Sequence, residues 1–120
     1  MIGSRIDARI LFEIASERVA QDDKWGAPKD VPNGTGPDVR ARFLSPLSYA
    51  LLRDRAQETT DGAAVDGESL MSYVLLEEVF EALAEDDDTK LRVELIQVAA
   101  VAAKWVRIID QRTKTSAVTA

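Results

Sequence analysis

The chain has 120 residues and a net charge of −6, and 46% of its residues are hydrophobic. A chain of this length buries only a moderate core, so we expect a single domain over residues 1–120 that is completed by oligomerisation. It contains no Cys and no His, which excludes disulfides, thiolate zinc sites and a Ser-His-Asp triad. Any bound metal must therefore be held by oxygen ligands, which favour hard cations such as Mg²⁺ or Mn²⁺.

The charge of the chain and its N-terminus limit its partners and its location. A negative net charge argues against a nucleic acid polymer as partner, because such partners need a basic surface. No apolar run reaches the roughly 18 residues that a membrane span requires. Charged residues also occupy the N-terminal stretch in which a signal peptide would be apolar. We therefore expect a cytoplasmic protein that does not associate with membranes.

Hydrophobic periodicity predicts four helices and hence an all-α fold with a four-helix bundle-like core. Their predicted bounds are residues 5–24, 46–59, 68–85 and 89–112, followed by a frayed tail over about 113–120. A loop rich in Gly and Pro over residues 26–38 follows the first helix. Ser45 and Asp66 are the expected N-caps of the second and third helices. The acidic turn 86–88 is short enough to join the last two helices as an antiparallel hairpin.

Acidic side chains dominate the segment from Glu77 to Asp88, which contains no basic residue. On a helix with about 100° per residue, Glu78, Glu81 and Glu85 fall within about 60° of one another. The ordinary interpretation of such a run is a solvated acidic face. The alternative is a group of carboxylates that holds a cation.

The predicted fourth helix is apolar on nearly all sides from Val93 to Ala103, where Glu94 and Gln97 are the only polar side chains. A helix of this kind is expected to be buried. A buried carboxylate is costly unless it is paired or hydrogen-bonded. Glu94 therefore needs a partner.

Two kinds of partner could satisfy the Glu94 carboxylate. An arginine could satisfy its carboxylate, and the candidates are Arg5, Arg53 and Arg92. Alternatively, Glu94 faces Glu78 and Glu81 across the hairpin, with Mg²⁺ neutralising all three. The twelve residues 82–93 correspond to about two helical turns, a tight reversal and one turn back, so both helices bring their acids to the same height. Facing helices about 8–10 Å apart allow such side chains to meet one or two cations.

The residues Glu78-Val-Phe-Glu81 and Glu94-Leu-Ile-Gln97 resemble the ExxE, spacer, ExxD pattern of the MazG-like all-α nucleoside triphosphate pyrophosphohydrolases. Two longer stretches are similar to small MazG-like proteins of actinobacteria and their phages. They read ERVAQDDKWG (17–26) and LLEEVFEALAEDDDTKLRVELIQVAAVAAKWVRIID (75–110). The resemblance covers under half of the chain.

This resemblance implies a Mg²⁺-dependent enzyme that cleaves a nucleoside triphosphate, ribo or deoxy, between the α and β phosphates. The products are a nucleoside monophosphate and pyrophosphate. The resemblance also implies four metal ligands: Glu78, Glu81, Glu94 and Gln97. Glu77 or Glu85 could accept the proton of the attacking water.

Gln97 departs from the family pattern because it stands where Asp is usual. Its amide oxygen can still ligate a hard cation, but it neutralises none of the charge. A catalytically weak or inactive relative that binds nucleotides or proteins is therefore the alternative function. If the acids are merely solvated, the chain is instead a structural helical oligomer.

Three residues are candidates for holding the nucleotide. Trp25 could stack on a base, although a core or loop-anchoring role is the alternative. Lys24 and Lys104 could contact phosphates, while the ordinary role of Lys104 is a solvated charge near a helix C-terminus. A homodimer or homotetramer is expected, because the fourth helix is apolar on too many sides for one small subunit.

Overall fold

A computed structural model describes residues 5–119, except for the side chains of residues 6, 43 and 114–119. Its α-helices are α1 (Arg5–Trp25), α2 (Tyr49–Val65), α3 (Met71–Leu83) and α4 (Asp88–Thr119), and Arg42–Leu44 form a 3₁₀ turn. These residues contain no β-strand, and Arg40 and Ser48 form an isolated bridge. The predicted all-α class is therefore confirmed. Within the part of the chain just defined, no helix is long and apolar enough to cross a bilayer.

The second helix begins at Tyr49 and not at Pro46, because Ser48 is its N-cap. The Ser48 hydroxyl accepts a hydrogen bond from the backbone N–H of Leu51 at 3.2 Å, which satisfies one of the free donors at the helix start. Ser45, the predicted cap, instead follows the 3₁₀ turn. The helix therefore starts one short turn later than its sequence suggests.

Asp66 ends α2 and does not cap α3. Its backbone N–H donates to the carbonyl of Gly62 at 3.1 Å, and Gly67 follows with a φ of 71°. This left-handed conformation is the usual termination of a helix and favours glycine. α2 consequently runs past the predicted end at Thr59, and α3 begins only at Met71.

The last helix begins at Asp88, where the carboxylate of Asp87 accepts the backbone N–H of Lys90 at 2.9 Å. It continues past the predicted end at Arg112 to Thr119, since no Gly or Pro interrupts this stretch. Most of the segment predicted as a frayed tail thus has helical backbone, and Ala120 lies outside the described residues.

The chain divides into two compact units, and one of them contains α1 and the part of α4 from Ala103 onwards. In this unit, Ile10 of α1 is buried. The guanidinium of Arg107 pairs with the carboxylate of Asp7 at 3.2 Å, which links the two helices. That residues 1–120 form one domain stays a prediction.

The other unit spans Asn33–Ala102 and contains α2, α3 and the first part of α4. The loop before α2 lies on the turn between α3 and α4. The backbone N–H of Gly36 donates to the carbonyl of Leu83 at 2.9 Å, and the Asn33 amide donates to Asp88 Oδ1 at 2.7 Å. The buried apolar residues of this unit are small or lie beside the turn: Ala41, Ala82, Ala84 and Leu91. These contacts fix the start of α4 beside the end of α3.

The apolar residues of α4 in this unit are largely exposed in the single chain. Val93, Leu95 and Ile96 expose 51%, 52% and 57% of their surface. This exposure differs from the expectation of a buried helix, because a unit of this size offers too few apolar partners to surround α4.

Candidate metal centre

Three glutamates bring carboxylate oxygens from α3 and α4 together. Glu78 and Glu81 are three residues apart on α3 and therefore project from the same side of that helix. Glu94 joins them from α4, and one oxygen of each residue lies within 4.8 Å of the other two. Clustered carboxylate oxygens are the ligands that Mg²⁺ and Ca²⁺ prefer in proteins. We call these three residues the acidic triad.

No protein cation neutralises the acidic triad within the described residues. Arg53 pairs with its neighbour Asp54 at 3.1 Å, and none of the ion pairs of the described chain involves a member of the triad. One carboxylate oxygen of Glu78 and one of Glu94 are buried without any hydrogen-bond partner. Buried oxygens of this kind are rare and costly. The donor set therefore fits a hard cation.

The electrostatics of the triad reflect burial and mutual repulsion. Burial raises the pKa of Glu78 above its ordinary value, and the charges of nearby glutamates raise it further, with Glu81 contributing most. Burial likewise raises the pKa of Glu94, followed by the charges of Glu81 and Glu85. Both causes disfavour the charged form. A divalent cation would offset them, because it favours the ionised carboxylates.

A residue that sequence reasoning missed contacts the triad from α2. The side-chain amide of Gln57 donates to Glu81 Oε1 at 3.2 Å, in a half-buried position. Gln57 precedes Thr60 by one helical turn, and the Thr60 hydroxyl lies 3.3 Å from the carbonyl of Tyr73 on α3. The helical neighbours of Gln57, among them Arg53 and Thr60, are themselves polar, so no sequence pattern indicates this contact, which depends on how α2 packs against α3.

The two candidate bases occupy different surroundings. Burial raises the pKa of Glu77, while a hydrogen bond with Thr60 lowers it and the charges of Glu81 and Asp61 raise it. Glu85 Oε1 accepts the backbone N–H of Asp87 at 3.2 Å, in the turn between α3 and α4. Neither residue belongs to the triad.

The remaining predicted site residues lie on α4 and α1. Gln97, the fourth predicted ligand, is exposed and follows Glu94 by three residues on α4. Lys24, Trp25 and Lys104 belong to the unit that contains α1. There the Lys24 ammonium lies 4.8 Å from the centre of the Trp25 ring, and 68% of Trp25 is exposed. An exposed Trp25 is not a core residue, and its role in nucleotide binding stays a prediction.

Fold and site together define an all-α protein with a three-carboxylate candidate metal centre. Comparison with protein-family models, with curated proteins and with solved structures finds no match to this chain. The case for a particular function therefore rests on the chemistry of the site and on the sequence pattern that builds it.

Proposed function

We propose that this chain is a Mg²⁺-dependent nucleotide pyrophosphohydrolase. The observation that carries the proposal is the acidic triad, whose oxygens lie within 4.8 Å of one another and include two that are buried without a partner. A hard divalent cation would satisfy these oxygens and offset their repulsion. The resemblance of residues 78–97 to the MazG-like pattern supplies the reaction.

The proposed substrate is a nucleoside triphosphate, ribo or deoxy. Water adds to phosphorus as the anhydride P–O bond between the α and β phosphates breaks, which yields a nucleoside monophosphate and pyrophosphate. When bound, Mg²⁺ would offset the charge of the phosphates and lower the pKa of the attacking water. The chain supplies the ligands and the base.

The tasks of metal ligand and general base would be divided among glutamates of α3, of α4 and of the turn between them. The acidic triad would hold the cation, with the amide oxygen of Gln97 as a fourth ligand. Glu77 or Glu85 would accept the proton that the water loses. A pKa raised by burial suits Glu77 to this task. Glu85 also qualifies, because it lies near enough for its charge to raise the pKa of Glu94.

Residues outside the acidic triad would hold the substrate and join the subunits. Trp25 would stack on the base, and Lys24 and Lys104 would contact phosphates. A second copy of the chain would cover the exposed apolar residues Leu95 and Ile96 of α4, giving a homodimer or homotetramer in the cytoplasm. Apolar surface of this kind marks an interface when it is contiguous.

Incubation of the pure protein with each NTP and dNTP plus Mg²⁺, followed by anion-exchange chromatography, tests the reaction. We expect monophosphate and pyrophosphate in equal amounts, and their loss when EDTA is added. Glu94→Gln should lower turnover by about 100-fold, the upper end of the loss seen when even a supporting partner of a metal ligand is removed. Glu58→Gln, which alters an exposed glutamate of α2, should turn over at the wild-type rate. Full activity of Glu94→Gln would refute the proposed site.

A second candidate function is a nucleotide-binding or protein-interaction module without catalysis. Gln97 favours it, because an amide at this position leaves the site with one negative charge fewer than the MazG-like pattern. Tight binding of Mg²⁺ and nucleotide without product would support this alternative. Gln97→Asp should then restore turnover.

A further inference from the structure

One contact of the acidic triad comes from outside the two helices that build it. The Gln57 side-chain amide on α2 donates to Glu81 Oε1 at 3.2 Å. The opposite orientation of the amide would place its oxygen against a carboxylate, so repulsion selects the N–H donor. Glu81 is thereby held by a hydrogen bond that spans two helices.

We infer that Gln57 is a positioning residue, which orients Glu81 for the cation of the acidic triad. This inference rests on the metal site of the proposed function. A carboxylate that receives a donor on one oxygen loses rotational freedom and keeps its other oxygen available for a cation. Partners of this type commonly fix the direction of a metal ligand.

Gln57 can position Glu81 for a cation because its side chain is uncharged. A lysine or arginine at the same place would also hold Glu81, but its positive charge would repel a cation from the triad. An amide holds the carboxylate and leaves its full negative charge for the metal. The ion pairs of the described residues leave the triad without a basic partner, in agreement with this role.

The position of Gln57 is itself set by the packing of α2 on α3. One turn further along α2, the Thr60 hydroxyl lies 3.0 Å from the Ala56 carbonyl within α2 and 3.3 Å from the Tyr73 carbonyl on α3. This second link between the helices keeps the Gln57 amide level with Glu81.

Mn²⁺ affinity, measured by the EPR signal of the free ion, tests the inference without relying on turnover. We expect Gln57→Met, which keeps the length but removes the donor, to weaken Mn²⁺ binding by about 10–100-fold. Gln111→Met, at an exposed glutamine of α4, is the matched control and should bind as the wild type does. Thermal unfolding in EDTA checks that each variant folds.

A double-mutant comparison separates positioning from a general loss of stability. Because Gln57 acts through Glu81, adding Gln57→Met to Glu81→Gln should cause no further loss of Mn²⁺ affinity. Wild-type affinity in Gln57→Met would overturn the inference while leaving the proposed function standing. A wild-type protein that binds no Mn²⁺ would overturn both. Metal binding that depends on Gln57, without nucleotide cleavage, would overturn only the proposed reaction.

Discussion

Glu78 and Glu94 each place a carboxylate oxygen where neither water nor a protein donor reaches it. With Glu81 they form a group of like charges that has no basic partner among the described residues. Such an arrangement lowers the stability of the metal-free protein once the carboxylates are ionised. Binding of a cation would offset this loss of stability, which is a reason for three glutamates to lie together here.

Because the pKa values of two glutamates of the triad are raised, the stability of the metal-free protein depends on pH. Glu78 and Glu94 have folded-state pKa values above the ordinary 4.5, so the folded protein binds more protons than the unfolded chain just above that pH. Stability therefore falls as pH rises through this window. In EDTA at pH 7, we expect Glu94→Gln to unfold at a higher temperature than the wild type, because the amide carries no charge. Thermal unfolding followed by circular dichroism measures the difference.

The difference should shrink as the pH is lowered and vanish below about 4.5, where the wild-type carboxyls are protonated in both states. Glu58→Gln, at an exposed position, is the control and should unfold in EDTA at pH 7 at nearly the wild-type temperature. Saturating Mg²⁺ should reverse the order of the two proteins, because only the wild type retains the full site. A lower unfolding temperature of Glu94→Gln in EDTA at pH 7 would show that this carboxylate stabilises the metal-free fold.

The acidic triad could be predicted from the sequence because helix periodicity determines which side chains share a face and the short turn 86–88 predicts an antiparallel hairpin. Glu78 and Glu81 share one by their spacing, and Glu94 stood out as an acid within an apolar helix. Gln57 could not be predicted in this way. Its contact with Glu81 depends on the packing of α2 on α3. The spacing of residues within α2 does not predict which of them contact α3.

At the level of elements, the existence of all four helices was predictable and several of their ends were not. Ser45 and Ser48 are both reasonable N-caps by residue type, and only the 3₁₀ turn before α2 decides between them. Asp66 has a residue type that favours helix starts, but the left-handed Gly67 makes it the end of α2. Several neighbouring residues can have a suitable type for an N-cap. The backbone hydrogen bonds of the preceding segment then determine which of them caps the helix.

The loop before α2 depends on the backbone conformation of Gly36. This residue has a φ of 144°, and an added Cβ would lie 3.4 Å from Val39 Cγ2. We expect Gly36→Ala to destabilise the protein by about 1–3 kcal/mol, because residues that carry a side chain rarely adopt this backbone conformation. Urea unfolding at fixed Mg²⁺ concentration measures the change.

Gly62 provides the matched control for this substitution. It lies inside α2, and an added Cβ would meet nothing within 4 Å. Gly62→Ala should stabilise the protein by about 0.5–1 kcal/mol, since alanine is the better helix former. Equal effects of the two substitutions would show that the conformation of Gly36 does not constrain the loop.

At the scale of the whole molecule, little apolar surface is fully buried among the side chains that the structure describes. The buried apolar residues in the described part of the chain are Ile10, Ala41, Ala82, Ala84 and Leu91. Most of these side chains are small, so they contribute modestly to the free energy of folding. A chain that is 46% hydrophobic has more apolar surface than these residues account for, and the proposed association of copies is one way to cover it.

Val93 and Ile96 lie three residues apart on α4 and share a face, and both are more than half exposed. If a second copy covers this face, light scattering after size exclusion should give at least twice the chain mass of 13.2 kDa. Ile96→Lys should then yield the monomer, because a buried unpaired charge at an interface is costly. Thr89→Lys, at an exposed polar position of the same helix, should leave the assembly intact. A wild-type protein that elutes as a monomer at every concentration would mean that this face remains in contact with water.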